Sequence, residues 1–287
     1  MAGLLAWVPS MAGCPPEGGG RQDLRALKAQ EFVLEDARER LEWVELLVDC
    51  LGDPDPAVRD AIAYEGLATW LRAAELDAAA LRALRERLYA LLDGDPGEGF
   101  ARPFAALLLS EVARTDRIAP WMTLGERAAM VDAAADYVEG VRDYRGFDNV
   151  EGWRHGVAHG ADWLMQLALN PALDRGHHDR LLAAVAVQAV PENAHAYVFG
   201  EPARLARPVV FIASRGLRSE AEWTDWFAAL ATRLGDPALA YADAAWLARR
   251  HDLSAFLTAL YIEADRSENP GVQALKPATA AALERLP

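Results

Sequence analysis

L-G-D-P-D-P-A-V-R-D-A-I-A, Leu51 to Ala63, sets the pattern by which the rest of the chain is read. Before it, Leu41, Val44, Val48 and Leu51 recur at helical spacing, and Gly52-Asp53-Pro54 stops that helix. After it, Asp55 can accept from the free amides of a new helix, and Pro56 fills the first turn, where a missing N–H costs nothing. The unit is a helix, a Gly/Pro turn and a second helix.

The same grammar extends in both directions. Residues 13–20 are rich in Pro and Gly and read as loop, with helix from near Arg21. Leu81, Leu84, Leu88 and Leu91 mark a helix closed by Asp93 to Gly97. Phe104, Leu108 and Val112 mark another, and one more runs from Glu126 towards Val141. Leu181, Leu182, Val185 and Ala189 build a helix ended by Pro191, and Asn193 to Pro202 is the least regular region. Val209-Val210-Phe211-Ile212 has strand composition, but Leu205, Val209 and Ile212 share one helical face, so it reads as helix. Trp223, Trp226, Phe227, Leu230 and Leu234 form an amphipathic helix, and L-G-D-P returns at Leu234 to Pro237. The last helices run from about Ala238 to Ala264 and from Pro270 onward. The expected fold is all-α: about twelve helices in a stack of antiparallel hairpins, an α-solenoid with a concave face. Asp55 to Ala63 resembles the second helix of a HEAT-type repeat. The expected organisation is an N-terminal segment, 1–20, and a single helical domain, 21–287.

The chain has 287 residues and a formal net charge of -14. Such a charge repels phosphate backbones and argues against nucleic acid as a partner. No apolar run reaches the ~20 residues of a membrane helix. The first residues, M-A-G-L-L-A-W-V-P-S-M-A-G-C, are apolar and carry a small-x-small site at Ser10-Met11-Ala12 and a loose lipoprotein-like box ending at Cys14, though no basic residues precede them. The reading favours export to the periplasm over a cytoplasmic tail. In an oxidising compartment Cys14 and Cys50, the two cysteines of the chain, are expected to pair.

The densest chemistry lies in Tyr144 to Asp162, Y-R-G-F-D-N-V-E-G-W-R-H-G-V-A-H-G-A-D. Read as a helix from Glu151 to Gln166, it puts Glu151, His155, His159, Asp162 and Gln166 on one polar face. Gly152, Gly156 and Gly160 form a stripe beside it, and Trp153, Val157, Leu164 and Leu167 turn towards the core. Three glycines inside a helix cost on the order of 3 kcal/mol, so another backbone or a ligand is expected to approach closely. His159 is expected to hydrogen-bond Asp162 or the Gly200–Arg204 segment, leaving His155 for ligand.

R-G-F at Arg145 to Phe147, followed by G-W-R-H-G-V-A-H-G-A-D at Gly152 to Asp162, resembles the signature of the bacterial domain of unknown function 2785 family. L-G-D-P-D-P-A-V-R-D, R-P-F-A-A-L at Arg102 to Leu107, and G-E-P-A-R-L-A at Gly200 to Ala206 support the resemblance in family order. Arg154 stands where many members are similar to G-W-A-H. The resemblance implies an all-helical, HEAT-like fold and no particular activity.

Three chemistries suit these residues. His155 and His159, four apart on a helix, could share a metal ion, but the glutamate of H-E-x-x-H is absent and Asp162 is about 10 Å from His155 along the axis. Further ligands would have to come from elsewhere, such as Glu201. Histidine beside carboxylate could serve a hydrolase as acid–base catalyst, with Arg102, Arg145 and Arg204 steadying an anion, although no nucleophile is apparent. The reading preferred here is a binding module, whose concave face holds a peptide, protein or small-molecule ligand against Trp153 and the polar residues. No cofactor is called for. Ion pairs among Arg145, Glu151, Glu201 and Arg204 are equally compatible with a purely structural role.

Overall fold

The computed structural model describes residues 14–15, 18–192 and 194–287, so most of the signal-like segment falls outside the described residues. The first half of the chain forms α1 (Gly19–Ala29), α2 (Ala37–Asp49), α3 (Pro56–Val58), α4 (Glu65–Arg72), α5 (Ala78–Asp93), α6 (Ala101–Ile118) and α7 (Leu124–Gly140). A short antiparallel hairpin, β1 (Phe147–Asp148) and β2 (Gly152–Trp153), interrupts the helices. Then follow α8 (Gly156–Ala168), α9 (Arg175–Ala189), α10 (Glu201–Ser214), α11 (Glu220–Thr232), α12 (Ala244–Arg266), α13 (Pro270–Gln273) and α14 (Leu275–Glu284). The described chain is all-α apart from that hairpin, and Val209 to Ile212 lie within α10 as the periodicity indicates.

The helix starts follow from their caps. The Asp55 carboxylate accepts from Ala57 N at 2.8 Å, with Pro56 in the first turn. Thr123 with Glu126 and Ser219 with Glu222 complete capping boxes on α7 and α11. Periodicity alone does not foresee the π-helical turn Arg59–Tyr64, which separates α3 from α4. It coincides with a fully buried arginine, Arg59.

Every second helix packs on the next: α4 on α6, α6 on α8, α8 on α10, α10 on α12, and α12 on α14. The helices between them, α5, α7 and α9, pack against these neighbours, and α7 packs against α9. One apolar core cluster runs from Leu24 to Ala278. In the middle sits α8, with Ala161, Trp163 and Leu164 fully buried. Its close approach to α7 depends on Gly160, where a Cβ would lie 2.6 Å from Val138 Cγ2 and 2.9 Å from Tyr137 Cε1. Among the described residues, no helix is long and apolar enough to cross a membrane.

Cys14 and Cys50 are joined in a disulfide, with Cα atoms 4.6 Å apart and a sequence separation of 36. The bond ties the start of the described chain to the end of α2. By closing that loop it stabilises the fold by ~2–4 kcal/mol through the unfolded chain. Reduction, or Cys14→Ser, is expected to lower stability by that amount, read as a shift in the urea midpoint at constant slope. A separate substitution pair probes the helix crossing. Gly160→Ala is expected to cost ~1–3 kcal/mol by overpacking, whereas Gly125→Ala in α7, where a Cβ would meet open space, should gain ~0.4–1 kcal/mol.

Candidate functional site

The chemically dense stretch does not begin as a helix. Asp148 Oδ1 accepts from Val150 N at 2.7 Å and Glu151 N at 3.0 Å, making a turn. Gly152 then adopts φ +75, a conformation open to glycine. Phe147 pairs with Trp153 and Asp148 with Gly152. Arg154 N and His155 N donate to Gly146 O and Arg145 O at 2.9 and 3.1 Å. Helix starts only at Gly156, and His155 precedes it in the left-handed region at φ 54. The expected helix over Glu151 to Gln166 is thus corrected, and Gly152 leaves the glycine stripe. The reason lies in distant donors. The Glu151 carbonyl, which a helix would give to His155 N, is taken by Arg59 Nη2 at 2.7 Å. Arg154 Nε meanwhile donates to Glu98 O at 2.9 Å.

Gly146 serves a close approach of another kind. Its missing Cβ would lie 2.0 Å from Phe199 Cδ2, so the Phe199 ring seats directly on the R-G-F turn. Phe147 and Trp153 are 4.9 Å apart and Trp153 and Phe199 6.0 Å, all three partly exposed. Trp153 stacks on the His155 ring at 4.7 Å. Beneath this aromatic rim, His155 Nε2 lies 3.5 Å from Glu201 Oε1, and the nitrogen is buried with no hydrogen-bond partner. Glu201 is itself buried and accepts from Phe199 N at 3.0 Å. Burial pushes its carboxyl up, but the His155 ring and the amides of Glu201 and Phe199 outweigh this and hold it below the usual range.

His159 lies 5.9 Å from His155, ring to ring. Its partner is neither Asp162 nor the Gly200–Arg204 segment, as expected, but Pro103 O, 3.1 Å from Nδ1. A carbonyl only accepts, so Nδ1 carries the proton and Nε2 keeps its lone pair. Burial, then the neighbouring His155, pushes its pKa down to about 3. Asp162 bonds Arg204, with Arg207 Nη1 3.8 Å away.

The remaining sequence candidates disperse. Arg145 binds Asp143 at 2.5 Å and Glu98 O at 3.2 Å on the rim. Glu151 pairs with Arg154 at 3.0 Å. Arg102 donates to Gly94 O at 2.5 Å and lines a separate cavity. Ion pairs among Arg145, Glu151, Glu201 and Arg204 therefore do not form: each takes a different partner. Among the described residues, no three His, Cys, Asp or Glu side chains gather to hold one ion. Arg59, Pro103 and Phe199 also shape the site, through Glu151 O, His159 and Gly146, and helical spacing does not single them out. An aromatic before Gly200 in an otherwise irregular stretch was the available signal for Phe199.

Two buried histidines give the protein an acid limit. His178 is fully buried with both ring nitrogens unpartnered, and burial, then Arg215 and Arg218, pushes its pKa down to about 4. For both His159 and His178 the folded pKa lies below the unfolded value of ~6.5. Their contribution is intact above that value and is lost as pH falls from there through 4 and 3. Urea unfolding at pH 7.5 and 5 is expected to show a loss on the order of a few kcal/mol. In His159→Asn, whose amide can still donate to Pro103 O, that slope should flatten.

Searches of curated proteins and of solved structures return no match. A family model described as "Protein of unknown function (DUF2785)" matches residues 89–262, more than half of the chain. That span includes the R-G-F turn, the histidine motif and the Glu201 segment. The chain belongs to the DUF2785 family.

Proposed function

We propose that the protein is a ligand-binding module, a single HEAT-like helical domain over residues 21–287 whose concave face carries the site around His155. The observation behind this is the pairing of an exposed aromatic rim, Phe147, Trp153 and Phe199, with a buried His155 Nε2 that has no hydrogen-bond partner. Exposed aromatics with one polar group set among them suit a ligand with a flat apolar face and one hydrogen-bonding group. His159, neutral and spent on Pro103, and Asp162, held by Arg204, form the support beneath. Export to an oxidising compartment such as the periplasm fits the Cys14–Cys50 bridge, which would persist there.

A second reading rests on the His155–Glu201 pair. A carboxylate 3.5 Å from an imidazole could tune it for acid–base work in a hydrolase.

Ligand-observed NMR with a panel of small aromatic amides tests the binding reading. Probes that bind the wild type should lose binding in Trp153→Ala, in His155→Ala and in Gly146→Ala, which displaces the half-exposed Phe199 ring, while melting temperatures stay within a few degrees. Turnover of chromogenic esters, amides or phosphates that disappears in Glu201→Gln would favour the hydrolase instead. If His155→Ala and His159→Ala each cost several kcal/mol and no probe binds, these residues are structural and the site assignment fails.

A further inference from the structure

The R-P-F-A-A-L motif finds no place in the His155 site. Its arginine lines a cavity of about 460 Å³ together with residues of α5 and α7. That volume falls in the range of small-molecule sites. Tyr137 is shared between the two regions. It lines this cavity, but its hydroxyl is already given to Gly156 O at 3.3 Å.

Two groups in the cavity wall have unused hydrogen-bonding capacity. Arg102 is anchored through Nη2 to Gly94 O at 2.5 Å, yet its Nε is buried without an acceptor. No carboxylate lies within ion-pair distance of this guanidinium among the described residues. The Tyr89 hydroxyl is likewise buried without a partner. Burial pushes its pKa up to about 12, so it keeps its proton at ordinary pH. Buried donors left unsatisfied are costly, and in native structures they usually mark an unseen partner. Two donors on one cavity, one of them cationic, match a carboxylate.

The rest of the wall rules against a simple anion. Asp93 and Asp136 also line the cavity, and a phosphate or sulfate would face their charge. Asp136 is engaged by Arg180 at 2.5 Å, which leaves Asp93 to receive a positive group. Leu92, Ala133 and Val141 supply apolar surface between them.

We propose that this cavity is a second binding site, independent of the His155 site, for a free α-amino acid with an apolar side chain. Its carboxylate meets Arg102 and Tyr89, its ammonium meets Asp93, and its side chain lies on Leu92, Ala133 and Val141.

Isothermal titration of the full chain with L-leucine, N-acetyl-L-leucine and L-leucinamide tests this. L-leucine is expected to bind. Masking either end, or Arg102→Gln, should weaken binding about tenfold or more, and Tyr89→Phe should weaken it less. His155→Ala should leave it unchanged, which separates this site from the proposed function above. If Arg102→Gln fails to fold by circular dichroism, the masked ligands and Tyr89→Phe carry the test. The proposal is overturned if L-leucine, L-phenylalanine and L-methionine give no binding heat at millimolar concentration. It is also overturned if leucinamide binds as tightly as leucine, or if His155→Ala abolishes leucine binding.

Discussion

The buried guanidinium of Arg59 holds together the parts on which the candidate site rests. It donates to Asp53 O and Pro54 O at 2.9 and 3.2 Å, to Asp60 Oδ1 at 2.7 Å and to Glu151 O at 2.7 Å. It also stacks over Phe100 and Phe104, with 4.0 and 4.9 Å to the ring centroids. Burial pushes its pKa down, and Asp60 opposes that shift. A charge taken out of water this completely is tolerable only because its hydrogen bonds are met, and leaving it unpaired would cost ~3–5 kcal/mol. The constraint therefore runs both ways. The L-G-D-P-D-P turn supplies carbonyls that keep Arg59 charged and inside, and Arg59 in turn takes the carbonyl that would otherwise let Glu151 to His155 continue as helix. The hairpin, and hence the left-handed His155 at the start of α8, follows from that competition.

The polar face of α8 has a corresponding division of labour. His159 is answered by Pro103 O on α6, Asp162 by Arg204 on α10, and Gln166 by Arg117 Nε at 3.2 Å. A row of polar groups on a buried helix is thus mostly the seam by which α8 joins its two neighbours. His155 differs in where it sits: it precedes the helix under the aromatic rim, and its Nε2, like Asp162 Oδ1, is buried without a hydrogen bond, with the Glu201 carboxylate 3.5 Å away. Residue type and helical spacing mark all four positions equally. The distinction between a spent polar group and an unspent one lies in the partner.

This is also where the sequence stops being legible. The helices were readable because their causes are local: Asp55 before Pro56, Thr123 before Glu126, and Leu81, Leu84 and Leu88 on one face. The cysteine pairing was readable because the chain offers one pair. The hairpin was not, since the donor that breaks the helix, Arg59, is 92 residues from the carbonyl it takes. Arg102 and Arg204 look alike as candidates, yet Arg102 lines the cavity with Tyr89 and Asp93 while Arg204 pairs with Asp162. The glycines were half legible: Gly160 permits a crossing as expected, while Gly152 and Gly146 serve a turn and an aromatic ring.

The segment that seats Phe199 adds one more titrating group, with the opposite sign to the histidines. Asp252 on α12 is fully buried and accepts from Tyr197 N at 2.8 Å, while its other oxygen has no partner. Burial pushes its pKa up to about 6, although the Tyr197 amide pulls it back. A raised carboxyl stabilises the fold below its unfolded value and loses that contribution as pH rises through 6. Between the unfolded carboxylate value of ~3.9 and about 6, Asp252 therefore works against the acid loss caused by His159 and His178. The histidines are two groups, each displaced from its ordinary value by more than Asp252 is from its own, so the net slope still falls towards acid. It is shallower than the histidines alone would make it. Removing Asp252 while keeping its size, as in Asp252→Asn, should steepen the acid limb without moving its onset near the free histidine pKa.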